Sequence, residues 1–195
     1  MRGPLAAMVV LLLAGCASVP APPPDATDWP ARRLELQALA NWQLHGRIAV
    51  ATATDGFSGG FDWQQAGARA EIQVRAPLGG TALRLVLDGD RFEMMDGHGT
   101  VVTGAVAGQQ IEEVLGAPLP VAELRYWLVG VPAPGAIERE VAGPDGRLVQ
   151  LAQSGWEVRY DRYQAVGARW LPARLELVTT GARLRVVAGH WRIDP

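Results

Sequence analysis

The sequence contains no lysine, a single cysteine and only three histidines among its 195 residues. A phosphate-binding Walker A loop is therefore excluded, because that loop needs a lysine to contact the nucleotide phosphates. One cysteine excludes an intramolecular disulfide. His45, His98 and His190 lie far apart in the sequence and show none of the spacings typical of a metal site. We expect no cofactor, no metal site and no activity driven by nucleotide hydrolysis on this chain.

A large excess of charge of either sign is also missing. The basic residues number 18 and the acidic residues 20, which leaves a formal net charge of -2. Nucleic-acid-binding domains normally carry a marked basic excess, often clustered on one face. We therefore predict that the protein has no nucleic-acid partner.

One sequence pattern suggests an enzyme, but its context argues against it. Residues 56–60 match the G-x-S-x-G pattern of a nucleophilic serine. That motif requires a sharp turn from a strand into a helix at the serine. Here Phe61 and Trp63 continue a strand-like alternation, so we predict no catalytic serine and no enzyme.

The N-terminus has the layout of a bacterial lipoprotein signal peptide. Arg2 provides a positive n-region, and an apolar run at residues 8–13 ends in Leu-Ala-Gly-Cys at 13–16. The run is too short for a transmembrane helix. A small-residue cleavage site that ends at a cysteine resembles the lipobox, where the thiol is acylated and the chain is cut before it. We predict a signal peptide over residues 1–15 and lipidation of Cys16.

The next segment separates the predicted lipid from the folded part of the chain. Residues 16–27 are small, rich in proline and uncharged until Asp25, which is typical of a semi-rigid tether. Ala17 stands where an aspartate usually marks inner-membrane retention in bacterial lipoproteins, which implies sorting to the outer membrane. We expect residues 28–195 to form a single domain.

Alternation of apolar and polar residues with a period of two dominates that domain. It is cleanest in residues 69–75, where Ala70, Ile72 and Val74 separate charged and polar side chains. This pattern is typical of antiparallel strands that have one buried face and one wetted face. Comparable segments predict about eleven strands between Trp42 and Ile193, and a sheet of that size curls towards a barrel.

Three helical segments accompany the strands. Asp28 is a suitable N-cap for a first helix with Pro30 in its first turn. A second short helix is predicted over residues 111–115 and a third over 120–130, before strands resume at Leu148. Because no parallel strands need to be connected, the helices are expected to cover the apolar face of the sheet. The predicted fold is mainly β, a curved antiparallel sheet with a helical lid, and barrels of this size can enclose an apolar ligand.

Together these segments resemble the LolB family, the outer-membrane lipoprotein receptors of the lipoprotein localisation (Lol) pathway. Each matching piece is weak alone, but their order is specific and covers nearly all of the mature chain. The pieces are Trp42-x-Leu44-x-Gly46-Arg47-Ile48-Ala49-Val50, Phe61-x-Trp63-Gln64-Gln65, Pro77-Leu78-Gly79, Pro120-x-x-x-Leu124-x-x-Trp127-Leu128-x-Gly130-x-Pro132-x-Pro134, Gly155-Trp156-x-Val158-x-Tyr160-x-x-Tyr163, Leu171-Pro172 and Trp191. The resemblance implies an unclosed antiparallel β-barrel of eleven strands with a lid of three short α-helices.

The resemblance also implies a function. The protein would accept lipoproteins from a periplasmic carrier protein and insert their acyl chains into the inner leaflet of the outer membrane. Its partners would be that carrier, the acyl chains of client lipoproteins and outer-membrane lipid. It would act as a monomer, anchored by lipid to the periplasmic face of the outer membrane.

Such a function requires an apolar cavity, because each methylene exposed to water costs about 0.8 kcal/mol. The candidate lining consists of inward-facing strand residues and apolar residues of the third helix. They are Leu44, Ile48, Ile72, Val74, Leu83, Leu85, Leu87, Leu124, Trp127 and Leu128. Among the tryptophans, Trp127 is the one that we expect to contact a ligand.

A loop centred on Leu78 is the predicted membrane-insertion site. Pro77 ends a strand, and Gly79 and Gly80 permit a tight reversal, so the loop should project from the sheet. The resemblance implies that Leu78, like the matching leucine in the family, protrudes and enters the membrane to deliver cargo.

A second interpretation remains open at this point. A structural lipoprotein that supports assembly of the envelope, and binds no acyl chain, would show the same alternation of apolar residues. Its interior would be filled with side chains, whereas a receptor requires an empty cavity.

Overall fold

The computed structural model describes residues 28–77 and 79–193. The predicted signal peptide, Cys16, the tether and Leu78 lie outside the described residues. The three helices are α1 (Trp29–Gln37), α2 (Gly104–Leu115) and α3 (Val121–Val129). The strands are β1 (Asn41–Thr52), β2 (Gly56–Ala66), β3 (Arg69–Arg75), β4 (Thr81–Asp88), β5 (Arg91–Asp96), β6 (Val101–Thr103), β7 (Arg139–Ala142), β8 (Leu148–Gln153), β9 (Trp156–Val166), β10 (Arg169–Thr179) and β11 (Ala182–Ile193).

All eleven strands belong to one antiparallel sheet, in the order β6-β5-β4-β3-β2-β1-β11-β10-β9-β8-β7. The first and last strands of the chain, β1 and β11, pair with each other in the middle of the sheet. The two edges are therefore β6 and β7, and the chain between them forms α2 and α3. Helices thus connect the edge strands that would have to pair for the barrel to close. The prediction of an unclosed antiparallel barrel with three helices is confirmed.

The ends of the helices follow local chemistry. The side chain of Asp28 accepts a hydrogen bond from the backbone N–H of Ala31 and caps α1. Pro120 precedes α3, which ends at Gly130 in the left-handed conformation that glycine tolerates best. No described helix is both long and apolar enough to span a membrane.

Two elements differ from the sequence prediction. Strand β7 is not predicted, because most of its four residues are exposed and it shows no apolar alternation. Helix α2 begins at Gly104 rather than near Ile111. Its first turns carry glycine and alanine, which give no apolar periodicity, and only the burial of Ala107 shows that they pack against the core.

Three tryptophans fill the sheet interior where β1 begins and β2 and β11 end. The rings of Trp42 and Trp63 are stacked with their centroids 5.7 Å apart, and Trp191 lies 5.3 Å from Trp42. All three side chains are buried. Aromatic side chains contribute large apolar areas to a core, so this part of the interior is solid.

Close backbone contact between β2 and β3 depends on glycine. A Cβ atom on Gly59 would lie 2.1 Å from the carbonyl oxygen of Arg75, far inside van der Waals contact. Gly59 belongs to the G-x-S-x-G pattern, and the pattern lies within β2 with no helix after the serine. The prediction that no nucleophile turn forms here is confirmed. The close approach of Arg75 explains why position 59 requires glycine.

Gly59→Ala should lower the free energy of unfolding by about 1–3 kcal/mol, because the strands must separate to admit the methyl group. Gly60→Ala is the matched control, since its Cβ would meet only the flexible guanidinium of Arg75, at 3.4 Å. Urea unfolding followed by tryptophan fluorescence measures both variants. Equal midpoints for the two would contradict the close approach of β2 and β3 at Gly59.

Candidate functional site

An apolar cavity of about 560 Å³ lies between the concave face of the sheet and the helices α2 and α3. We call it the main cavity. Its lining combines apolar residues of β1 to β5, β10 and β11 with residues of both helices, and its acidic or amide members are Asp96, Gln110 and Glu113. Protein interiors are close-packed, so an empty apolar space of this size can hold a ligand.

Most of the predicted lining residues meet in this cavity. Eight of the ten do so, namely Ile48, Ile72, Val74, Leu83, Leu85, Leu124, Trp127 and Leu128. The lining also includes residues that the prediction omitted, such as Leu175 and Leu177 of β10 and Leu184 and Val186 of β11. The same alternation is visible in those two strands and could have identified them.

Two of the predicted lining residues, Leu44 and Leu87, do not lie in the main cavity. Leu44 is fully buried, and its partners in the strand register are Trp63 and Trp191, so it is packed among the tryptophans. Leu87 borders a separate, smaller cleft. Both residues lie on the concave face as alternation requires, but alternation does not specify their position along the sheet.

Gln153 at the end of β8 fixes the lid to the sheet. Its Oε1 accepts hydrogen bonds from the indole N–H of Trp127 at 3.0 Å and from the backbone N–H of Ala133 at 2.9 Å. Its Nε2 donates to the carbonyl oxygens of Ala133 and Ala136 at 2.9 and 3.2 Å. The residue is 1% exposed. Gln153 is not predictable from the sequence, because one glutamine in a strand carries no signal until its distant partners are known.

Trp127 has two roles in this geometry. It lines the main cavity, yet its side chain is fully buried and bound to Gln153. The hydroxyl of Tyr160 also donates to the carbonyl oxygen of Trp127 at 3.0 Å, and burial raises the pKa of that hydroxyl well above its usual value. Truncation of Trp127 would damage the frame of the lid as well as the cavity wall, so half-buried lining residues are better probes of binding.

Asp96, one of the polar residues of the cavity lining, bonds to the local backbone. The carboxylate of Asp96 accepts hydrogen bonds from the backbone N–H groups of Thr100 at 2.8 Å and His98 at 2.9 Å. The Thr100 N–H holds the pKa of the Asp96 carboxyl below its usual value. These bonds close the turn between β5 and β6.

Two of the three histidines meet in the folded structure. His45 and His190 are paired across β1 and β11, with their ring centroids 6.4 Å apart, and Asp62 contacts His45. Strand pairing thus joins residues that are distant in the sequence. Within residues 28–77 and 79–193, no group of three or more His, Cys, Asp or Glu side chains is arranged to hold a metal ion.

The loop between β3 and β4 stands beside the main cavity. Gly79 donates its N–H to the carbonyl oxygen of Ala76 at 3.0 Å, and the N–H of Ala76 donates to Gly80 at 3.1 Å. These bonds join Ala76 to Gly79 and Gly80, between Val74 and Leu83, which both line the cavity. Pro77 and Gly79 flank the predicted insertion residue, and the role of Leu78 itself stays a prediction.

Comparisons with known proteins agree with this arrangement. The family model for outer membrane lipoprotein LolB matches residues 40–191. Outer-membrane lipoprotein LolB of Nitrosococcus oceani is 34% identical over 190 residues, with 95% of this chain and 94% of the relative covered. The protein of the same name from Pseudomonas aeruginosa is 32% identical over 203 residues, with 96% and 94% covered. That from Alkalilimnicola ehrlichii is 33% identical over 193 residues, with 98% and 96% covered.

Solved structures share the fold at much lower identity. A LolA superfamily protein from Nitrosomonas europaea gives a TM-score of 0.52 at 10% identity, covering 88% of this chain and 94% of its own. A DUF1329 family protein from Desulfovibrio piger gives 0.54 at 7% identity, covering 87% and 92%. At these identities the similarity concerns the fold alone.

Proposed function

The chain belongs to the LolB family of outer-membrane lipoproteins, and from this membership we propose its function. The protein accepts lipoproteins from a periplasmic carrier protein and inserts their acyl chains into the inner leaflet of the outer membrane. It acts as a monomer and as a lipoprotein-localisation receptor, not as an enzyme. The observation that carries the proposal is the apolar main cavity of about 560 Å³ beneath the lid.

The physical need for the cavity comes from the cargo. Each methylene of an acyl chain costs about 0.8 kcal/mol when it is exposed to water, so a chain must be shielded at every step of transfer. The chain has no lysine for a Walker A loop. Transfer therefore proceeds down a gradient of affinity, from the carrier to the main cavity and then to the bilayer.

An empty interior also favours the receptor over a scaffold lipoprotein. A scaffold needs a filled core, and the tryptophan-rich part of this sheet shows that the chain can build one. The space beneath α2 and α3 is instead left open and lined with half-buried residues such as Ile48, Val74 and Leu124. Depletion of the protein in cells tests the receptor function directly. Outer-membrane lipoproteins should then be lost from the outer-membrane fraction.

Lipid on Cys16 provides the membrane anchor in this proposal. We expect the mature chain to begin at an acylated Cys16, whereas Cys16→Ala should remain uncleaved and without lipid. Mass spectrometry of the protein from the outer-membrane fraction measures both outcomes. A mature chain that begins at any other residue would contradict the assignment.

Leu78→Glu should block insertion of cargo into liposomes and leave acyl binding and receipt of cargo nearly unchanged. Burial of one leucine contributes about 1.5–3 kcal/mol, which is enough to orient a tethered domain on a bilayer. We therefore expect insertion from a loaded carrier to fall at least tenfold. The measurement is the fraction of a test lipoprotein that floats with liposomes.

Leu34→Glu is the matched control for this experiment, because Leu34 is a leucine on α1 that is 69% exposed. It should insert cargo at the wild-type rate. The assignment of Leu78 is wrong if both variants behave alike.

A further inference from the structure

A second cleft of about 330 Å³ opens on the concave face of the same sheet. We call it the second cleft. It lies between β2, β3 and β4 on one side and α3 with the loop at Ala133 on the other. Trp63 and Val121 line both this cleft and the main cavity. The two spaces are therefore neighbours that share two apolar side chains as their partition.

The amide and guanidinium groups in the second cleft already have partners. Gln65 is 4% exposed, and its Oε1 accepts from the indole N–H of Trp63 at 3.0 Å. Its Nε2 donates to the carbonyl oxygens of Gly67 at 2.9 Å and Arg69 at 3.2 Å. Arg125 donates to Gly67 at 2.9 Å and contacts the hydroxyl of Tyr126. These amide and guanidinium groups are held by the protein itself, and apart from Glu123 most of the remaining wall is apolar.

The remaining wall is formed by small and apolar residues, among them Ala68, Ala70, Leu87 and Ala133. Glu123 adds a carboxylate whose Oε1 accepts from the hydroxyl of Ser154. Its Oε2 is buried and has no hydrogen-bond partner within the described part of the chain. Glu123 and Arg125 together leave the lining without net charge, so the cleft has no excess positive charge for the carboxylate of a free fatty acid. An acyl chain in a neutral ester or amide linkage needs no such charge.

The size of the main cavity explains why a second site is needed. A chain of about sixteen carbons requires roughly 500 Å³, if each carbon takes about the 30 Å³ that a water molecule occupies in the liquid. The main cavity, with about 560 Å³, then has room for one such chain. A lipoprotein carries more than one acyl chain, and a chain left outside would be exposed to water.

From this geometry we propose that the second cleft binds part of a second acyl chain of the same client lipoprotein, in ester or amide linkage, on the far side of Trp63 and Val121. At about 30 Å³ per carbon, its volume of about 330 Å³ holds about eleven carbons of that chain. The inference rests on the proposed receptor function and adds a second acyl site to it. The two chains of one cargo thus enter neighbouring compartments rather than one common pocket.

Ala122→Phe tests the proposal. Ala122 lines the second cleft and is exposed on α3. The larger side chain can therefore fill the cleft without disturbing the core. Ala105→Phe is the matched control, an exposed alanine on α2 that lines neither space. The protein is the chain from residue 16 with Cys16→Ala, which carries no lipid of its own. Native mass spectrometry counts bound N-palmitoyl-Cys-Ser, a probe with one amide-linked chain.

We expect two bound probe molecules in the unsubstituted protein and in Ala105→Phe. Ala122→Phe should bind the first molecule within twofold of the normal affinity and the second at least tenfold more weakly. A dipalmitoylglyceryl-Cys-Ser probe, which carries two chains, should also bind at least tenfold more weakly to Ala122→Phe.

The proposal is overturned if the unsubstituted protein binds a single molecule, or if Ala122→Phe still binds two with normal affinities. A single molecule that is lost when the main cavity is altered would overturn only the second site and leave the receptor function standing. Binding of no probe at all would overturn both.

Discussion

Leu83→Glu should weaken binding of a palmitoyl probe about a hundredfold at neutral pH. Leu83 is half-buried in β4 and lines the main cavity opposite Val74. In the empty cavity a carboxylate at this position stays hydrated. An entering acyl chain must remove that water, at an effective cost of several kcal/mol, and about 2.7 kcal/mol already corresponds to a hundredfold.

The pH dependence of this variant has a defined sign. An acyl chain favours the neutral acid, so the bound state has a raised carboxyl pKa relative to the ordinary glutamate value of about 4.3. Affinity should therefore recover as the pH falls towards 4 and be lost as the pH rises above it. The unsubstituted protein should show no such recovery at this site.

Leu83→Met is the matched control, because methionine has a similar volume and no charge. Its affinity should stay within about threefold of normal. Fluorescence titration with the probe, at a series of pH values, measures all three proteins. Equal affinities for Leu83→Glu and Leu83→Met at pH 7 would mean that the acyl chain does not enter the main cavity.

Gln153→Leu should lower the free energy of unfolding by about 3–5 kcal/mol. The substitution leaves the buried indole N–H of Trp127 and the buried N–H and carbonyl of Ala133 without this partner. Ala136 is exposed, so water can replace the bond to its carbonyl oxygen. Each buried polar group that loses its only partner costs about 1–3 kcal/mol, and the costs are not fully additive. A loss of this size is a large part of the 5–15 kcal/mol that is typical of a domain.

Gln150→Leu is the matched control on the same strand. Gln150 is half-buried and bonds to Glu157 on the outer face of the sheet, where water can replace the lost partner. Its effect should stay within about 1 kcal/mol. Urea unfolding measures the loss of stability in both variants. If they unfold at the same urea concentration, Gln153 does not hold the lid.

The fold class was predictable because it depends on a local, repeated signal. Residues 69–75 alternate cleanly, and alternation of this kind states which side chains share a face of a strand. The helix at Val121–Val129 was predictable for a similar reason, since Pro120 and Gly130 mark its ends through their own backbone preferences. Strand β7 was not, because most of its residues are exposed and its strand state depends on pairing with β8.

The sequence by itself determined the mainly β architecture, the apolar character of the concave face and the resemblance to the family. Only the tertiary structure decided where along that face the interior is solid and where it is empty. Leu44 and Leu83 carry the same inward signal, yet one is packed between Trp63 and Trp191 and the other lines the main cavity. The physical reason is that periodicity reports only neighbours within one strand. Three features depend instead on strand order and register between residues far apart in the chain. They are the packing against Trp191, the bonds of Gln153 to the lid, and the position of α2 and α3 between the two edge strands.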